Sequence, residues 1–145
     1  MAIAVSACLL GECCRWDGGT NRCEAVIRLC RGQEVIPVCP ECAGGLGTPR
    51  LPSEIRDGVV VNREGVSVDA AFRAGAVSCL GQLEGKPVTL AVLKARSPSC
   101  GTGRIYDGTF SGTLTAGDGV FAALLKEKGI RVVSEEDVIR GNVAP

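Results

Sequence analysis

Four short apolar runs constrain this chain more than any other feature: Ala2 to Ala7, Glu34 to Val38, Val88 to Leu93, and Ile130 to Val133. They are rich in Val, Ile, Leu and Ala, and turn residues or charges bound them. Runs of this length suit buried strands and are too short for core helices. Between them lie segments of helical spacing. Cys23 to Arg31 places Val26, Ile27, Leu29 and Cys30 together and stops at Gly32. Asp69 caps a predicted helix to about Glu84, with Ala71, Phe72, Gly75, Ala76, Cys79 and Leu80 near one face. Gly119 to Lys128 is closed by Gly129, and Glu135 onward begins a short final helix.

Strand, helix, strand, helix, strand, helix, strand is the rhythm of an open, mostly parallel, Rossmann-like α/β sheet flanked by helices. Val59–Val61 and Val66–Val68, around Arg63-Glu64-Gly65, predict a small hairpin insertion. Ala43 to Ser53 and Lys94 to Asp118 read as loops. No repeat, linker or low-complexity tract interrupts the pattern, so residues 1–145 are expected to form a single domain. Ligands of such sheets bind beyond the C-terminal ends of the strands. Cys8 follows the first run, Cys39 ends the second, and Cys100 lies in the loop after the third. Three cysteines distant in sequence are therefore expected at one sheet edge.

Composition narrows the chemistry. With 16 basic and 16 acidic residues the net charge is zero, and aromatic residues make up 3%. Neither a stable nucleic-acid complex nor a membrane partner is expected from that balance. The apolar stretch Ala2 to Leu10 has no basic flank and is too short for a signal-peptide core or a membrane span. A cytoplasmic chain is expected, in which thiols stay reduced. Nine cysteines then call for metal or thiol chemistry. There is no histidine, so a metal here must sit on thiolates or carboxylates.

Cysteine is among the most buried residue types, and Cys30 and Cys79, on apolar helix faces, are assigned to the core. Cys8, Cys39 and Cys100 stand at strand exits or in loops among small residues. Two other readings stay open. Cys39-Pro40-Glu41-Cys42 has the spacing of a redox dithiol, although the Gly-rich segment after it is a poor helix former. A structural zinc on Cys8, Cys13 or Cys14, Cys39 and Cys42 is the other, without the regular paired spacing of zinc modules. Glu41 reads as a loop carboxylate beside Cys39, and Arg50 as a partner for Glu54 or for a ligand carbonyl or anion.

Several motifs together resemble one family. Ser6-Ala7-Cys8-Leu9-Leu10-Gly11 with Cys14-Arg15-Trp16-Asp17-Gly18 is similar to its opening signature. Pro37-Val38-Cys39-Pro40-Glu41, Gly44-Gly45-Leu46 and Pro49-Arg50-Leu51-Pro52-Ser53-Glu54 are similar to the middle one. Ser97-Pro98-Ser99-Cys100-Gly101, Ile105-Tyr106-Asp107-Gly108-Thr109-Phe110-Ser111-Gly112 and Gly117-Asp118-Gly119-Val120 are similar to the last. The chain thus resembles the bacterial thiouracil desulfidases over nearly its whole length. The resemblance implies a 4Fe–4S cluster on Cys8, Cys39 and Cys100, with one iron free of protein ligands to bind the substrate sulfur. It implies catalytic roles for Glu41 and Ser97. The implied reaction is non-redox removal of sulfur from a thiolated pyrimidine, giving the oxo base and sulfide, by a monomer or weak homodimer acting on a small molecule. Two departures stand out: Trp16 replaces a usual tyrosine, and Cys13 and Cys42 are additional thiols.

Overall fold

A computed structural model describes residues 2–144. The four apolar runs form one parallel sheet: β1 (Ala2–Ser6), β2 (Glu34–Val38), β5 (Val88–Leu93) and β8 (Arg131–Ser134), in the order β2-β1-β5-β8. The side-chain alternation of strands sends Ile3, Val5, Leu90 and Val92 to one face. There they meet Val26 and Cys30 of α1 (Glu24–Cys30) and Val138 of α5 (Glu135–Ile139). Ala4, Ala91 and Leu93 face the other way, onto Ala76, Cys79 and Leu83 of α3 (Asp69–Leu83) and Phe121, Ala122 and Leu125 of α4 (Val120–Glu127). Cys30 and Cys79 are buried in these two cores, as expected of small hydrophobes. Among the described residues no helix is long and apolar enough to cross a membrane.

The connections place the site. From β1 the chain steps outward through α1 to β2, then returns across β1 to β5. The direction of winding reverses between β1 and β5, which leaves a crevice at the C-terminal ends of these strands.

Three local expectations are corrected. The hairpin pairs β3 (Ser53–Arg56) with β4 (Val59–Asn62), so Ser53 belongs to a strand rather than to the preceding loop. The segment around Ser67 adds only a single bridge to Val61. The turn is Asp57-Gly58, at φ +51° and +78°, and positive φ at both central residues is what a twisted two-residue hairpin turn demands. Asp69 does not cap α3 but starts it, and its carboxylate accepts from the Val60 amide at 3.0 Å, fixing the hairpin to the helix. The Lys94–Asp118 loop contains a second hairpin, β6 (Arg104–Tyr106) with β7 (Leu114–Ala116).

The segment after Cys39 is also not all loop. Pro40–Ala43 forms one helical turn, α2, which lies backbone to backbone on α3. A Cβ on Gly75 would stand 1.8 Å from the Pro40 carbonyl oxygen, and one on Gly44 would stand 2.1 Å from that of Ala71. Neither obstacle is a flexible side-chain end. Gly75→Ala is expected to destabilise the fold by about 1–3 kcal/mol through overpacking. Gly81, in the same helix, has nothing within 4 Å of a built Cβ, so Gly81→Ala is expected to stabilise by up to about 1 kcal/mol. Urea unfolding of the two variants measures both, and equal effects would deny that the contact is tight.

Candidate functional site

A cavity of about 300 Å³ opens at the crevice, and Cys8, Cys39, Cys100, Glu41 and Ser97 all line it. Cys8 sits in the 3-10 turn Ala7–Leu10 that ends β1. Its carbonyl accepts from the Asn21 amide at 3.0 Å and from Thr20 Oγ1 at 2.9 Å, and Asn21 Nδ2 donates to its Sγ at 3.4 Å. Cys39 ends β2 in extended backbone at the N-cap of α2, where Pro40 opens the turn. Cys100 is carried by the loop after β5 and is buried. Ser97 shapes that loop: its Oγ accepts from the amides of Cys100 at 2.7 Å and Ser99 at 3.2 Å.

A fourth thiol, Cys14, also lines the cavity and places its single S–H proton between the sulfurs of Cys8 and Cys39. Sequence reasoning singled out Cys13 and Cys42 as the neighbouring extra thiols. Cys14 is the one that shares the cavity, while Cys13 and Cys42 are exposed. That one proton decides how the thiols ionise. Cys39 is drawn down to about 6, chiefly by the Cys14 bond, with help from the Cys42 amide and against the effect of burial. Cys8 is lowered by Cys14 first and Asn21 next, again against burial. Cys14 itself is raised, since the sulfurs of Cys39 and Cys8 hold its proton and burial disfavours its thiolate. Burial pushes Cys100 up to about 12 despite bonds from Ser6 and Ser99.

Glu41 projects from α2 into the same space. Its carboxylate accepts from Arg50 Nε at 3.1 Å and from Ser99 Oγ at 2.8 Å. Arg50 continues to the carbonyls of Cys14 at 2.8 Å and Gly47 at 3.2 Å. The pairing of Arg50 with Glu54 is thereby corrected. Glu54 is buried and accepts from the amides of Gly108 and Phe110, pinning that loop over β3. Ser99, at 2% exposure, is the polar contact that the sequence reading missed. Its only signal was the second serine of Ser97-Pro98-Ser99-Cys100.

All nine cysteines are free thiols. Among the described residues no group of three or more Cys, Asp or Glu side chains is arranged around the position of a single metal ion. The zinc reading therefore lacks its coordination geometry. Separate thiols from three strand ends, around a cavity of this size, fit a larger group with several thiolate-binding corners.

A family profile described as 2-thiouracil desulfurase matches residues 3–137. The chain is 39% identical to the protein YbbK of Bacillus subtilis (strain 168), over 94% of this chain and 97% of that one. It is also similar to a solved structure, the [4Fe-4S]-dependent thiouracil desulfidase TudS. That match has a TM-score of 0.88 and 42% identity, and covers 96% of this chain and 93% of the other.

Proposed function

Since the chain belongs to the 2-thiouracil desulfurase family, we propose that it removes the sulfur of a thiouracil-like pyrimidine as one cluster-dependent catalytic domain. The carrying observation is that Cys8, Cys39 and Cys100, from three separate strand ends, line one cavity with the Glu41–Ser99–Arg50 network. These three cysteines would hold the 4Fe–4S cluster. When bound, it supplies an iron free of protein ligands, a Lewis acid for a soft thiocarbonyl sulfur.

The protein residues then handle the proton and the water. Arg50 and Ser99 aim the Glu41 carboxylate into the cavity, where it takes a proton from the water that attacks the C=S carbon. Glu41 returns that proton as the carbon–sulfur bond breaks, so the base gains oxygen and the sulfur leaves as sulfide without net electron transfer. Ser97 keeps the Cys100 loop in shape as an acceptor from two amides, and its hydroxyl, 3.1 Å from that of Ser99, supports the serine that aims Glu41. With no histidine in the chain, the carboxylates that line this cavity are Glu41 and Glu54; Glu54 is taken up by the amides of Gly108 and Phe110, which leaves Glu41 for the task. Turnover of 2-thiouracil in H₂¹⁸O tests the reading: uracil should carry one ¹⁸O and form without added reductant. A strict need for reductant, or uracil without label, would contradict hydrolysis.

One observation favours a second reading. Cys39 has a lowered pKa at the start of a helical turn, and Cys42, three residues on, is raised by burial and by its contact with Cys39, the arrangement of an attacking and a resolving thiol. On that reading Cys42 is as necessary as Cys39.

A further inference from the structure

We propose that Trp16 is the stacking face for the pyrimidine ring of the substrate, an inference that rests on the desulfuration reading. The chain has one tryptophan, one tyrosine and three phenylalanines. Phe72 and Phe121 are fully buried, and Phe110 does not line the cavity. Trp16 is 44% exposed and lines the cavity. Tyr106 lines it too, but it is half-buried on β6 and less exposed than Trp16.

Backbone hydrogen bonds fix the loop that presents the indole. The Trp16 backbone carbonyl accepts from the Arg50 amide at 2.7 Å, and the Arg50 side chain binds the Cys14 carbonyl and Glu41. The turn is closed by the bond from the Gly18 amide to the Arg15 carbonyl at 2.9 Å. One arginine thus ties the exposed indole to the carboxylate that the mechanism uses. Much of the rest of the lining is thiol, hydroxyl, carboxylate and guanidinium, groups that meet a heterocycle at its edge. A planar base also has a π-face to cover, and an indole is the side chain best suited to it.

The test compares wild type with W16A, W16L and W16F, each reconstituted with its cluster and assayed for iron. Calorimetry with uracil gives Kd, and steady-state assays with 2-thiouracil give KM and kcat. Stacking predicts that W16A and W16L raise both constants about 5- to 100-fold, the usual worth of base–aromatic stacking by alanine substitution. kcat should stay within about twofold, and W16F should recover most of the loss. Unchanged constants in W16A, or W16L equal to wild type, would overturn the assignment. So would a fall in kcat with KM unaltered. Wild-type protein that binds uracil through Trp16 yet leaves thiouracil intact would sink the desulfuration reading while upholding the stacking. Binding of neither base would overturn both.

Discussion

Cys39→Ser is expected to abolish both cluster retention and detectable desulfuration, while Cys42→Ser keeps both. The two residues stand at opposite ends of one helical turn, yet only Cys39 lines the cavity with Cys8 and Cys100. Thiolate ligation needs the sulfur itself, and a serine hydroxyl is a poor substitute for a soft iron site. Cys8→Ser and Cys100→Ser should fail in the same way. Their backbone settings differ, so a shared failure points to their one common property, the cavity they line. Cys42 instead faces Arg50, 3.9 Å from its sulfur, and is exposed. A dithiol mechanism predicts the opposite for Cys42, because the resolving thiol is as indispensable as the attacking one. Iron content and thiouracil turnover, measured on the same samples of all four variants, separate the two. Equal loss in Cys39→Ser and Cys42→Ser would favour the dithiol.

Glu41→Gln is the second large effect. The amide is nearly isosteric and ligates no iron in the proposed site, so cluster content should hold. It cannot move the proton, and turnover should fall by roughly 10²–10⁴-fold, the range of general acid–base catalysis. Glu41→Asp should recover part of the rate if a water spans the lost methylene. Ser99→Ala removes one of the two bonds that aim the carboxylate and should cost less, about tenfold, in line with the loss of one charged hydrogen bond. The rival role starts from the same contacts: Glu41 is paired with Arg50, which grips the Cys14 carbonyl, an arrangement that would also suit a strut. A strut predicts that Glu41→Gln loses iron and turnover in parallel, or neither. Full iron with near-normal turnover would remove Glu41 from the mechanism.

The sheet was legible because its signal is local. Short apolar runs with turn residues at their ends mark buried strands without knowledge of their partners. That alone placed Cys8, Cys39 and Cys100 at one edge. What escaped depends on tertiary contacts. The helical turn α2 has a Gly-rich continuation and poor local propensity, and it stands because Gly44 and Gly75 let its backbone lie on α3. The Asp57-Gly58 turn was masked by the valine runs that follow it. Arg50 and Glu54 have the spacing of a helical pair, but Ser53–Arg56 is extended, where that spacing brings no contact. Arg50 was left free to reach Glu41 across the cavity rim. Nor does any local rule say which serine of Ser97-Pro98-Ser99 meets a carboxylate, since the answer depends on where α2 lies.

Anaerobic reconstitution of the wild-type chain, with iron, acid-labile sulfide and products measured on one sample, tests the central claim most directly. The account predicts about four irons and four sulfides per chain, as a single 4Fe–4S cluster requires. It also predicts that the same sample converts 2-thiouracil to uracil and sulfide in equal amounts. Stoichiometric zinc with no sulfide, or a fully loaded cluster that leaves thiouracil unchanged, would contradict it.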